Sequence, residues 1–150
     1  MLNLKNELSL LLRQNLHQRI QQINAALGDL HESMTNETKS SVGDKHETAR
    51  AKMQFEQQKL QEQLHQVQQQ LAQFNRLANE PSANQVAAGS LVQTSQGYFY
   101  LTISFGNILV VNTNVMVVSL QSPIGQQLRG KQVNQHITFN NITYQILNIV

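Results

Sequence analysis

The side-chain chemistry of this 150-residue chain changes abruptly near residue 80. All nine Asp and Glu residues lie within the first 80 positions. The charged residues of 81–150 are only Arg129 and Lys131, and this part also contains His136. The first part is rich in helix formers, and the second is dense in the β-branched and aromatic residues that favour strands. The sequence therefore predicts an α+β protein with a helical region over 1–79, a linker over 80–85 and a β domain over 86–150.

Two long stripes of apolar residues, mostly three and four positions apart, predict that the first region is a pair of amphipathic helices. Residues 35–43 between the stripes lose this period and contain Asn, Ser and Gly. Narrow stripes joined by a short break are typical of an antiparallel coiled-coil hairpin, with its tip here near 35–47. A helix from Asp44 to Ala78 would extend about 50 Å. The first stripe contains Leu4, Leu8, Leu12, Leu16, Ile20, Ile23, Leu27, Leu30 and Met34, and the second contains Met53, Leu60, Leu64, Val67, Leu71, Phe74 and Ala78.

The second region contains three pairs of predicted strands, each joined by a turn signal. The pairs are 90–94 with 98–103, 107–111 with 115–120 around a turn at 112–114, and 137–139 with 142–149 around Asn140-Asn141. A short helix is predicted between the last two pairs, because Ser122 and Pro123 are typical of a helix start and Gly130 of a helix end. We expect a small twisted antiparallel sheet with one helix packed on it.

The composition excludes several kinds of site. The chain contains no Cys, which excludes disulfides and Cys-based zinc sites, and its net charge of +2 is too small to indicate nucleic acid binding through bulk electrostatics. The five His have no His-x-x-x-His spacing, and neither a nucleophile elbow nor a Gly-rich phosphate loop occurs. Because no apolar run approaches the roughly 18 residues of a membrane helix and the N-terminus lacks signal-peptide features, we expect a cytoplasmic protein.

The aromatic residues Tyr98, Phe99, Tyr100 and Phe105 have two interpretations. A row of aromatic side chains can stack on single-stranded nucleic acid. No Lys or Arg flanks this row, so packing within the sheet is favoured. No signature of an aromatic-lined pocket is visible in this part of the sequence.

Asp44 and Glu47 form an acid pair directly after Gly43. Asp44 at the N-cap and Glu47 at position N3 would form a capping box, and the pattern alone favours that role. The same positions place two carboxylates at the tip of the predicted hairpin, where they can ligate Mg²⁺ if a partner supplies the remaining oxygen ligands. Both interpretations stay open on these residues alone.

Four short motifs resemble, in order, those of the bacterial Gre-type transcript cleavage factors. Residues 43–49, Gly-Asp-Lys-His-Glu-Thr-Ala, are similar to the family's Gly-Asp-x-x-Glu-Asn-Ala, and Glu56-Gln57-Gln58 is similar to its Glu-Gln-Gln. The segment from Ser122 to Lys131 resembles Ser-Pro-Ile-Ala-x-x-Leu-x-Gly-Lys, and residues 144–147 resemble Tyr-Glu-Ile-Leu. The resemblance covers essentially the whole chain and includes the order of its parts.

The resemblance implies an FKBP-like β domain that docks on RNA polymerase and a coiled coil that enters the secondary channel of the polymerase. There Asp44 and Glu47 would help to hold a second Mg²⁺ and orient the water that cleaves backtracked RNA, by two-metal chemistry. The protein would not be an enzyme itself, would hold no tightly bound cofactor alone, and would contact RNA or DNA only inside that complex. Neither a membrane nor a small-molecule substrate is implied. The expected docking residues are Ser122, Pro123, Ile124 and Lys131.

The tip differs from the family pattern mainly in charge. Thr48 stands where the family has Asn, and Arg50 and Ala51 stand where it has an acid and a tyrosine. Lys45, His46 and Arg50 are expected to modulate the tip, because nearby positive charge weakens metal retention. Two alternatives therefore remain: a secondary-channel regulator that does not stimulate cleavage, and a coiled-coil scaffold or oligomerisation protein unrelated to transcription.

Overall fold

The computed structural model describes residues 1–38, 43–80 and 84–150, with the side chains of all of these except 37, 38 and 43–46. Two long helices precede a six-stranded sheet that carries one short helix, so the predicted α+β class is confirmed. The helices are α1 (Leu2–Thr38), α2 (Gly43–Ala78) and α3 (Pro123–Leu128). The strands are β1 (Leu91–Thr94), β2 (Gly97–Leu101), β3 (Gly106–Val110), β4 (Thr113–Val118), β5 (His136–Phe139) and β6 (Ile142–Ile149).

Helices α1 and α2 form the predicted hairpin. Every residue of the two predicted apolar stripes is buried or half-buried, and Leu8, Leu12, Leu16 and Phe74 are fully buried. The Gln-rich positions between the stripe residues of α2 are mostly exposed, as expected for amphipathic helices. Within the described ranges, neither long helix is apolar enough to cross a membrane.

The chain divides into two compact units. One consists of residues 14–71, which belong to α1 and α2 together with the segment between them. The other combines residues 1–13 and 72–150, so it contains the sheet, α3 and the first and last parts of the helical hairpin. The predicted linker at 80–85 lies partly outside the described residues.

The strand order in the sheet is β3-β4-β2-β1-β6-β5. The pairings of β1 with β2, β1 with β6, β3 with β4 and β5 with β6 are antiparallel, but β2 pairs with β4 in parallel. The expectation of a fully antiparallel sheet is therefore wrong for this pair. Its physical reason is that the β3–β4 hairpin folds back, which brings β4 rather than β3 beside β2.

The turns of two hairpins share one backbone conformation. Asn140 and Asn141 both have positive φ, 51° and 64°, as their tolerance of that region predicts. The turn between β3 and β4 lies at Val111 and Asn112, with φ of 49° and 61°, rather than at the predicted 112–114. Because a β-branched residue rarely adopts positive φ, the sequence predicts Val111 in the strand and not in the turn.

Both faces of the sheet are covered within the larger unit. On one face, α3 contributes Leu128 to a core of Val86, Val92, Phe99, Leu101, Leu128, Ile137 and Ile146. On the other face, the fully buried Tyr100 forms an edge-to-face pair with Phe74 of α2, with ring centroids 6.2 Å apart. The hydroxyl of Tyr100 is joined to that of Ser9 in α1 by a 2.9 Å hydrogen bond.

Arg13 completes this contact between the sheet and residues of the hairpin. Its guanidinium lies 5.4 Å from the centroid of the Phe74 ring, and its Nε donates a 2.8 Å hydrogen bond to Asn75 Oδ1. Burial raises the pKa of Tyr100 above its usual value, although the hydrogen bond with Ser9 and the positive charge of Arg13 both act to lower that pKa. Residues 1–13 and the end of α2 are therefore packed as part of the sheet's own core.

Candidate functional site

The predicted tip acids lie at the start of α2. Because this helix begins at Gly43, positions 44 and 47 lie in its first turns, three residues apart and therefore on one side of the helix. The side chain of Glu47 is exposed, as are those of Thr48 and Arg50. The side chains of Asp44, Lys45 and His46 lie outside the described residues. The helix begins one residue before Asp44, which was the predicted N-cap of the capping box, and the shared metal site stays a prediction.

The electrostatic setting of Glu47 is that of a solvated surface. Arg50 follows at a spacing that allows a helical ion pair, worth about 0.2–0.5 kcal/mol. Such a weak contact would compete with another cation for the Glu47 carboxylate without excluding it. Among the described side chains, no three or more His, Cys, Asp or Glu are grouped to hold a metal. Mg²⁺ held at the tip by the two predicted carboxylates would need further oxygen ligands, which waters and phosphates can provide.

The predicted docking segment begins at a well-defined helix cap. Ser122 Oγ accepts a 3.0 Å hydrogen bond from the backbone N–H of Gly125 and donates a 2.6 Å bond to the carbonyl of Ser119. Pro123 occupies the first turn, where a missing N–H costs nothing. The Ser122 hydroxyl therefore holds the start of α3 in place. The sequence motif alone does not distinguish this structural role from a docking role.

The end of the docking segment is tied to the start of the β domain. Val86 N–H donates to the carbonyl of Lys131, and Gly130 N–H donates to the carbonyl of Val86, both at 2.8 Å. Lys131 is half-buried, whereas Pro123 and Arg129 are exposed. The exposed side chains of this segment, which can meet a partner, are those of Pro123, Gln126, Gln127 and Arg129. Arg129 was not among the predicted docking residues.

A cleft of about 420 Å³ opens on the face of the sheet that carries α3. Its apolar lining includes Phe99, Met116, Ile124 and Tyr144. Phe99 and Tyr144 form an edge-to-face pair with centroids 5.5 Å apart. Sequence reasoning missed this cleft, because its lining comes from strands and turns that are far apart in the chain, each contributing at most three residues.

No protein-family model, curated protein or solved structure matches this chain. Its function is therefore inferred from its own residues and their placement.

Proposed function

We propose that the protein is a Gre-type transcription elongation factor. In this proposal an FKBP-like β domain docks on bacterial RNA polymerase, and the coiled coil enters the secondary channel to stimulate cleavage of backtracked RNA. The observation that carries the proposal is the position of the segment 43–49. The residues that resemble the family signature begin the second helix of a helical hairpin, with Glu47 exposed.

The chemistry proposed for the tip needs two carboxylates, of which that of Glu47 is exposed. Mg²⁺ requires six oxygen ligands and keeps several waters, so one or two carboxylates from the factor are enough when the polymerase and the RNA phosphate supply others. A second metal beside the polymerase's own would lower the barrier by stabilising the attacking and leaving oxygens. Because Glu47 is exposed, it can reach such a metal without first losing a buried partner.

Docking would involve the segment around α3. The exposed Pro123 is the first residue of α3, and the exposed Arg129 directly follows this helix. The Ser122 cap and the backbone hydrogen bonds with Val86 fix the position of the segment. Ile124 is packed partly against the core, so it supports the segment as well as lining the adjacent cleft. A preformed surface of this kind costs little conformational entropy on binding.

The charge near Glu47 favours a second candidate, a channel-binding regulator that does not stimulate cleavage. Arg50 is exposed and lies three residues from Glu47, where the family pattern has an acid. A cation at this distance competes with Mg²⁺ for the carboxylate. In that case the protein would occupy the channel and bind polymerase without changing the rate of RNA cleavage.

The deciding experiment replaces both tip acids by their amides, as Asp44→Asn/Glu47→Gln. Purified core RNA polymerase is tested for co-purification with the full chain, and stalled, backtracked complexes are tested for RNA cleavage. We expect the variant to bind polymerase as the wild type does and to reduce cleavage to the rate of polymerase alone, because the metal-binding oxygens are lost. The amides retain hydrogen-bonding groups for a helix start.

The chain offers a matched control in Asp29→Asn/Glu32→Gln, which removes two exposed acids with the same spacing from α1. This control should stimulate cleavage as well as the wild type does. Wild-type binding without stimulated cleavage would favour the regulator. Failure of the full chain to co-purify with polymerase would reject both transcription functions and leave the scaffold alternative.

A further inference from the structure

We propose that the cleft beside α3 binds an uncharged peptide segment carrying one bulky apolar side chain. This role is independent of the tip and requires no partner to complete the site. The cleft's volume of about 420 Å³ lies within the range of ligand sites in proteins, roughly 300–1,000 Å³. Its lining joins an aromatic floor to a rim of side-chain amides.

The floor of the cleft is apolar and incompletely covered. Phe99 pairs directly with Met116 across β2 and β4, and Tyr144 packs edge-on against Phe99. Met116, Ile124 and Tyr144 are packed against the core yet remain half-buried. An apolar side chain entering the cleft would remove this surface from water, which is favourable.

The rim of the cleft carries amide groups. Asn107 and Asn114 come from the β3–β4 hairpin, Asn140 from the turn before β6, and Gln96 from the β1–β2 turn. All four residues are exposed. A primary amide both donates and accepts hydrogen bonds, so this rim matches the N–H and C=O groups of a peptide backbone. That match is the reason to expect a peptide rather than a plain hydrocarbon.

The lining also determines the charge of the occupant. Among the residues that the structure describes, those that line the cleft include no Asp, Glu, Lys, Arg or His. A charged side chain entering the cleft would lose hydration without gaining a counter-charge, and that desolvation is costly. The site should therefore reject peptides whose central residue is Lys or Glu.

The binding test uses the full chain and three blocked peptides. The first is acetyl-Gly-Gly-Phe-Gly-Gly-amide, and the other two have Lys or Glu in place of Phe. We expect the Phe peptide to bind with a Kd of about 1 mM, and the charged peptides to bind about tenfold more weakly or not at all. Nuclear magnetic resonance titration of the labelled protein should show the largest amide shifts at Met116 and Tyr144.

Two variants locate the binding on the protein. Ile142→Glu places a charge at a cleft residue that is 45 % exposed, so the fold tolerates it, and should weaken the Phe peptide about tenfold. Leu147→Glu is its control, because Leu147 lies on the same strand, is 43 % exposed and is outside the cleft. This control should bind the peptide as the wild type does.

A third variant tests the role of the amide rim. Asn114→Ala should weaken binding of the Phe peptide about two- to tenfold, the effect of one lost hydrogen bond. Toluene, an apolar probe without hydrogen-bonding groups, should bind this variant as it binds the wild type. The proposal is overturned if the Lys or Glu peptide binds as well as the Phe peptide, or if Ile142→Glu and Leu147→Glu behave alike. It is also overturned, in favour of a simple hydrocarbon pocket, if Asn114→Ala binds the peptide normally.

Discussion

Phe74 in α2 provides a sharp test of how the sheet and the hairpin residues of its unit are held together. Its ring is fully buried, lies edge-on to Tyr100 and supports the guanidinium of Arg13 at 5.4 Å. Replacing it by Ala removes the ring from all of these contacts. We expect Phe74→Ala to lower the free energy of unfolding of this unit substantially.

The expected size follows from the contacts. Truncation of a buried Phe to Ala typically costs about 3–5 kcal/mol, from lost apolar burial and the cavity that remains. An aromatic pair of the Phe74–Tyr100 kind contributes about 0.5–1.5 kcal/mol beyond burial. Phe74→Leu keeps most of the apolar volume but loses the pair, so it should cost about 1–2 kcal/mol.

The chain supplies its own spectroscopic probe for this measurement. It has no Trp, and its three Tyr residues, at 98, 100 and 144, all lie in the unit that contains the sheet. Tyrosine fluorescence during urea unfolding therefore reports on that unit. With a urea slope of about 2 kcal/mol per M, a loss of 3–5 kcal/mol lowers the midpoint by roughly 1.5–2.5 M.

Phe55 provides a comparison from outside this unit, because it is a Phe on the same helix that is 71 % exposed and belongs to residues 14–71. Phe55→Ala should change the free energy of unfolding by less than about 0.5 kcal/mol. Equal midpoint shifts for Phe55→Ala and Phe74→Ala would show that the buried contact with Tyr100 does not stabilise this unit, and the reasoning would fail.

Three further predictions concern backbone positions. Gly125→Ala, which would match the family pattern, should lower stability by about 1–3 kcal/mol in thermal unfolding, because a Cβ would collide with the Ser119 carbonyl and the Ser122 hydroxyl. Gly28→Ala, in an open helical position, should instead stabilise the helix by about 1 kcal/mol. If Gly125→Ala raised the unfolding temperature and Gly28→Ala lowered it, the close packing described around Gly125 would be contradicted. Val111→Asn should raise stability by about 1 kcal/mol, because Val111 has a φ of 49° and is 75 % exposed; a lower unfolding temperature would refute this account of the turn.

The helices and strands could be predicted because each depends on a local pattern. The apolar stripes of α1 and α2 repeat every three or four residues, and every predicted stripe residue is at least half-buried. The start of α3 was marked by Ser122 and Pro123, whose cap hydrogen bond is present. The turn at Asn140-Asn141 was predicted because Asn tolerates positive φ.

The pairing of β2 with β4 could not be predicted in the same way. Turn signals identify which strands form hairpins, but they do not specify which member of the β3–β4 hairpin approaches β2. That choice depends on which face of the hairpin covers the core, and Val115 and Val117 of β4 are both buried. Strand β4 also packs Met116 and Val118 of its other face against the core. Strand β3 buries Ile108 and Val110 but leaves Asn107 and Leu109 exposed, so it lies at the edge.

The tip and the cleft differ in how visible they are in a sequence. Asp44 and Glu47 are three positions apart, so a short motif is enough to associate them. The cleft joins Phe99, Ile124 and Tyr144 from separate elements, and only the sheet brings them together. Ile124 belongs both to the cleft and to the segment that resembles the family's docking motif. A partner that docks beside α3 would therefore have an apolar site within reach, because Ile124 supports the predicted docking segment and also lines the cleft.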